Sequence, residues 1–177
     1  MANYISVVLS NSFLIDKHKI DDARKAFSYF EESYVDDNGV AFIGSYDQTF
    51  SDDLKVLIDK RTNRVIGSYD AGYQDKTDII EENGDVVEDF LSLMNIKSED
   101  EYDENDFEEV DFFEYIQSIM TNDLTLNGTL NYCLIKEVGH EKLRYSVGCG
   151  ILITKDFIEW IDLDQVATNI MKEKYEV

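Results

Sequence analysis

The feature that most constrains this chain is where its charge sits. Residues 78 to 114 hold sixteen Asp and Glu side chains and a single base, Lys97. An unpaired carboxylate is too costly to take out of water, so this stretch must lie at the surface and turn its apolar residues the other way. The flanks are close to balance: residues 1 to 77 carry thirteen acids and nine bases, and residues 115 to 177 carry nine and six. Of a net charge of −22, the middle fifth therefore supplies −15.

Outside that stretch the pattern is that of a folded α+β chain. Hydrophobic residues make up 44% and aromatics 12%, enough for 177 residues to bury a core despite 31% charge. One compact domain over 1–177 is expected. Within it, a β-rich lobe with one helix at 1–77, an acidic helical segment at 78–120 and hairpins with a last helix at 121–177 are possible subdivisions. "YISVVLS", "VAFIGSY", "LKVLID", "RVIGSYD", "TLNYCLIKE", "KLRYSVGCGILIT" and "FIEWID" read as strands between the turn signals "DDNG", "KRTN", "VGHE" and "KD". Helical spacing of Ala23, Phe27, Phe30 and Tyr34, with Asp21 or Asp22 as cap, predicts an N-terminal amphipathic helix. Leu163, Val166 or Ala167, Ile170 and Tyr175 predict a C-terminal one. The fold class is α+β, mostly antiparallel sheet with an N-terminal amphipathic helix, a central acidic helical segment and a C-terminal helix. IGSYD occurs twice, from Ile43 and from Ile66, and reads as two strands closing in similar turns; Gly148 and Gly150 mark a bulge or close packing.

The stretch "SEDEYDENDFEEVDFFEY", residues 98 to 115, sets ten carboxylates among five aromatic rings with no base. A helical wheel over 104–120 gathers Val110, Phe112, Phe113, Ile116, Ile119 and Met120 on one side and leaves Glu104, Glu108, Asp111 and Glu114 opposite, with Tyr115. Carboxylates three or four residues apart on a helix stand roughly 4.5 to 6 Å apart along its axis, a scale comparable with the roughly 3.4 Å phosphate spacing of a DNA strand. Glu81, Glu82, Asp85, Glu88 and Asp89 form a second row that leads into Phe90, Leu91, Leu93 and Met94. With Glu101, Tyr102, Asp103 and Phe107 these residues make up the candidate partner-binding set, in which Tyr102, Phe107 and Tyr115 supply desolvated contacts. Like charges at i,i+4 destabilise a helix by roughly 0.2 to 0.5 kcal/mol per pair, so a uniform sign without interleaved bases calls for a use.

Three readings of the segment stand side by side: a solvated acidic linker, an electrostatic interface and a cation site. Aligned with a calcium-binding EF-hand loop, Asp103, Asn105, Asp111 and Glu114 fall on ligand positions, but Phe107 takes the fifth position and Glu108 the sixth, where the turn needs glycine. No dedicated metal site and no cofactor are expected. His18 and His140 are the only histidines, and no G-x-S-x-G, Walker, dinucleotide or H-E-x-x-H motif is present, so no enzyme is expected. Asp53 with Lys55, and Asp162 with Asp164, are too common as patterns to carry catalysis, and the latter pair reads as a helix cap.

A net charge of −22 disfavours direct contact with nucleic acid or an anionic membrane, which leaves a basic protein or a cation as the natural partner. Cys133 and Cys149 without a CxxC pair, and an N-terminus without signal-peptide order, lead us to expect the cytoplasm, the host cell's if the chain is phage-encoded. In charge pattern and size the chain is similar to the DNA-mimic antirestriction and anti-CRISPR inhibitors of phages and plasmids. That similarity implies a non-catalytic acidic inhibitor that blocks the basic DNA- or RNA-binding groove of a defence nuclease or its complex. The alternatives are an immunity or antitoxin protein that neutralises a basic toxin, and a divalent-cation-binding protein.

Overall fold

The computed structural model describes residues 4–46, 51–80, 104–124, 128–141 and 145–175. Strands β1 (Tyr4–Ser10), β5 (Gly44–Tyr46), β9 (Cys133–Glu141), β10 (Tyr145–Ile153) and β11 (Ile158–Asp162) form one sheet in the order β11-β10-β9-β1-β5. The three C-terminal strands pair as local hairpins, and β1 then enters from far along the chain, with Val8 opposite Glu137 and Ser10 opposite Ile135. Alternation fixes its faces: Ser6, Val8 and Ser10 are buried while Leu9 is exposed.

A small sheet, β2 (Phe13–Leu14), β4 (Val40–Phe42) and β3 (Tyr34–Val35), closes around the "DDNG" turn. There Asp36 accepts the N–H groups of Asn38 and Val40, which hold its carboxyl below the usual range. Gly39 adopts φ +83°, and a Cβ on it would stand 2.7 Å from the carbonyl oxygen of Ile15, so only glycine fits the turn. The third sheet has the order β7-β6-β8, from β6 (Leu54–Asp59), β7 (Arg64–Asp70) and β8 (Phe107–Asp111). Among the described residues all strand pairings are antiparallel.

The 3-10 turn that follows helix α1 (Ile20–Ala26) meets helix α2 (Phe112–Ile119) through rings. Phe112, fully buried, lies 6.1 Å from Phe27 and 5.5 Å from Phe30, and the main core continues through Val56, Val65, Ile116, Ile135, Ile151 and Ile153. Helix α3 (Leu163–Tyr175) starts from Asp162, whose carboxylate accepts the N–H of Gln165. The α+β class with mostly antiparallel strands is what the sequence led us to expect.

Details differ from that expectation for identifiable reasons. The N-terminal helix tightens into a 3-10 turn at Phe27–Tyr29 and ends there; Tyr34 belongs to β3 and stacks on Phe42. Asp16 caps the helical run by accepting the N–H of His18, because Asp22 is buried instead and accepts Arg64 Nε at 2.7 Å. Strand β9 runs on through Glu141, so His140 stands in a strand, paired with Ile5 and Ser146, and not in a turn. Gly44–Tyr46 of the first IGSYD copy form β5, whereas Ile66–Asp70 of the second lie within β7, in a different sheet. Val166 and Ile170, expected on the buried side of the last helix, are exposed. Among the described residues no helix is long and apolar enough to cross a membrane.

Candidate acidic interface

The β7-β6-β8 sheet has apolar contacts on both faces. Val56, Ile58, Val65 and Val110 join the main core, while Leu57, Ile66, Tyr69, Ile79 and Phe107 form a second, smaller cluster with Ile80 against it. Ile79 and Ile80 belong to a helical turn over 76–80 that Asp75 caps through the N–H of Thr77; that hydrogen bond, more than any charge, holds the Asp75 carboxyl below its usual range. Phe107 follows the 3-10 turn Glu104–Asp106. The chain therefore enters residues 81–103 and leaves them on the same small cluster. Those residues carry nine acids and Lys97.

Residues 105–111 are fastened to the β6–β7 hairpin by that hairpin's own cations. Lys55 Nζ stands 3.6 Å from Asp111 Oδ2, Arg61 Nη1 stands 3.7 Å from Asp106 Oδ2, and Lys60 Nζ donates to the Asn105 carbonyl at 2.8 Å. The Lys60 N–H donates to the Asp106 carbonyl at 2.9 Å. Glu109 accepts the Tyr69 hydroxyl and has Lys76 Nζ at 4.0 Å. Burial pushes the Tyr69 phenol up strongly, and the Glu109 hydrogen bond adds to it. Asp59, fully buried beneath this edge, accepts the Arg61 N–H through Oδ1.

The sequence expectation of one helix over 104–120 is corrected here. Residues 107–111 are a strand, and the helix begins at Phe112. Phe107 and Val110 serve different clusters, so a period of two seats both, whereas one helical face would strand one of them. Pairing with β-branched Val56 and Ile58 then outweighs the low strand propensity of Glu108 and Glu109. Asp111 is the cap of α2, accepting the N–H groups of Phe113 at 2.9 Å and Glu114 at 3.2 Å.

The candidate set divides accordingly. Glu108 and Glu114 are exposed, as an interface requires. Phe107 and Tyr115 are 6% and 4% exposed and belong to the two clusters, so neither offers a surface contact. Asp111 is half-buried and structural. Glu104 belongs to the 3-10 turn, and Glu81, Glu82, Asp85, Glu88, Asp89, Glu101, Tyr102 and Asp103 lie outside the described residues. The EF-hand alignment meets strand β8 in its middle, and among the described residues no three His, Cys, Asp or Glu side chains converge as a metal site. Lys55, which the sequence sets two residues after Asp53, faces Asp111 at 3.6 Å. Sequence reasoning missed Asp106, Glu109 and their cations, because the contacts join residues dozens apart, 45 for Lys60 and Asn105.

Comparison with protein-family models, with curated proteins and with solved structures gives no match. The site must therefore be read from its own chemistry.

Proposed function

We propose that this chain is a non-catalytic acidic inhibitor that binds the basic nucleic-acid-binding groove of a partner protein, in the manner of an anti-CRISPR or antirestriction protein, and acts in the cytoplasm. One observation carries the reading: both ends of the most acidic stretch stand on one small cluster, and the nearest cations are engaged with its anchoring strand. Lys55, Lys60, Arg61 and Lys76 contact residues 105–111, while Lys19, Arg24 and Arg64 pair with acids elsewhere. Much of the chain's positive charge is thus used to hold the scaffold, and Glu108 and Glu114 remain exposed beside the anchored ends.

An anionic surface of this kind raises the encounter rate with a basic groove and pairs well with its arginines. The test is capture of partners from a bacterial lysate on the immobilised protein, washed at increasing salt and identified by mass spectrometry, followed by competition with short duplex DNA. The expected partners are nucleic-acid-binding proteins that salt and duplex DNA both release. Partners without nucleic-acid-binding activity, or complexes indifferent to duplex DNA, would refute the reading. Retention of one toxin alone would assign the immunity alternative.

A further inference from the structure

We infer that the outer face of the five-stranded sheet is the surface through which two copies of this chain form a weak, reversible dimer. Strand alternation gives that sheet two faces. Val8, Ile135, Ile151 and Ile153 turn one of them into the main core. The residues between them point the other way, and what they carry is largely apolar. Leu9, Tyr46 and Val138 are 41%, 62% and 38% exposed, and Leu134, Leu152 and Ile161 are half-buried beside them. A Cβ on Gly150 would stand 3.6 Å from Leu134 Cδ1 and 3.8 Å from Ile161 Cβ, so the side chains of β9 and β11 close over the middle of β10. Single apolar side chains are ordinary on a protein surface, whereas a contiguous set across five strands marks an interaction site.

The charges on this face argue for a second copy as its occupant. Among the described residues its outward side chains include one acid, Glu159, and one base, Lys136, both exposed and neither with an ion-pair partner in its own chain. Glu32 stands at the rim, beside Gly44. Lys136 lies opposite Gly150, and Glu159 lies opposite Leu152, so β10 runs between the two charges. A two-fold axis between two facing sheets, crossing β10 between Gly150 and Leu152, sets Lys136 of each copy over Glu159 of the other. That is the self-complementarity an isologous contact needs. Facing sheets stand about 10 Å apart, a gap that a lysine and a glutamate span together. A net charge of −22 opposes contact between copies through acidic surface, and a basic partner gains nothing from a face whose charges cancel. Strands about 4.8 Å apart, with about five residues of about 3.4 Å each, give roughly 400 Å² in projection per copy. Two such faces fall in the range of transient contacts and short of the roughly 2,000 Å² or more of an obligate dimer.

Sedimentation equilibrium of the full chain, from micromolar to submillimolar concentration, tests the dimer, and circular dichroism checks that each variant is folded. The wild type is expected to show a monomer–dimer equilibrium that tightens as sodium chloride rises from about 0.01 M to about 0.15 M, because salt screens the repulsion between copies. Val138→Glu buries an unpaired carboxylate on each side of the contact and is expected to weaken association at least about tenfold. Ile170→Glu, at an exposed apolar position on α3, is expected to leave it unchanged. Lys136→Glu and Glu159→Lys are each expected to weaken it about threefold or more, and the double variant to return to within about threefold of wild type. These two exposed positions carry the test even if Val138→Glu does not fold. A chain that stays monomeric at every concentration and salt overturns the dimer, and monomer that sediments with phosphatidylcholine vesicles gives the face to a bilayer instead. So does association indifferent to Val138→Glu in the folded variant, equal loss with Ile170→Glu, or a double variant no stronger than the singles overturn it.

Discussion

Asp111 separates the structural acids of this segment from those free to meet a partner. Its Oδ1 accepts the N–H groups of Phe113 and Glu114, and its Oδ2 faces Lys55 at 3.6 Å. Asp111→Ala removes both. Loss of an N-cap costs about 1 kcal/mol, and a half-exposed ion pair adds up to about 0.5 kcal/mol, so the expected destabilisation is about 1.5 kcal/mol. For a chain of this size that lowers the melting temperature by about 3 to 6 °C. Asp111→Asn keeps a good cap and loses only the ion pair, so it stays within about 0.5 kcal/mol of wild type. Glu108→Gln, on an exposed strand position, changes stability by no more than about 0.5 kcal/mol. Urea unfolding at neutral pH, read as a shift in midpoint at unchanged slope, measures all three. If Asp111→Ala falls no further than Glu108→Gln, or if Asp111→Asn falls as far as Asp111→Ala, the cap does not hold the helix and the division of the acidic residues is wrong.

Phe112→Ala removes the ring that touches Phe27, Phe30 and Phe113, and should cost about 3 to 5 kcal/mol in the same unfolding experiment. Cys133 is buried and its thiol is pushed well up by that burial, while the Cys149 thiol is raised by burial and then by Glu137. In the native protein iodoacetamide should therefore modify Cys149 slowly and Cys133 only after unfolding, as mass spectrometry of the labelled peptides will report. The Tyr69 phenol is raised above its ordinary value, so its contribution is whole below about pH 10 and is lost as pH rises through the folded value. Tyr69→Phe should flatten the alkaline fall in stability, and an unchanged fall would show that the Glu109 contact plays no part in it.

Local signals recovered most strands, and long-range pairing explains where they failed. The hairpins of β6 with β7, β9 with β10 and β10 with β11 join neighbouring β-branched runs across short connections, and their strands were visible in the sequence. The capping role of Asp162 was visible as well. The acidic strand was not, because Val110 and Phe112 share the apolar side of a helix over 104–120, and only pairing with β6, which seats Phe107 and Val110 in different clusters, makes 107–111 a strand. Asp22 reads as a cap by its position, yet Arg64, forty-two residues later, takes its carboxylate into the interior. Of the candidate interface, the location of the excess charge was legible in the composition. The split between exposed Glu108 and Glu114 and structural Asp111 was not, since it depends on which acids face the cations of β6 and its turn.

Salt should move stability and binding in opposite directions, and that contrast tests the charge distribution as a whole. A net charge of −22 repels itself in the compact state, and sixteen of the acids with a single base fall within residues 78 to 114 of the sequence. Adding salt screens this repulsion over a Debye length that falls from about 30 Å at 0.01 M to about 8 Å at 0.15 M. The contacts of Lys55, Lys60 and Arg61 are short and partly withdrawn from water, so the same salt weakens them less than it relieves the long-range repulsion. The folded protein should become more stable as sodium chloride rises over that range, while its affinity for a basic partner falls. Thermal melts and titrations in matched buffers measure the two trends. A melting temperature that falls together with the affinity would mean that the ion pairs, and not the repulsion, dominate the electrostatics of the fold.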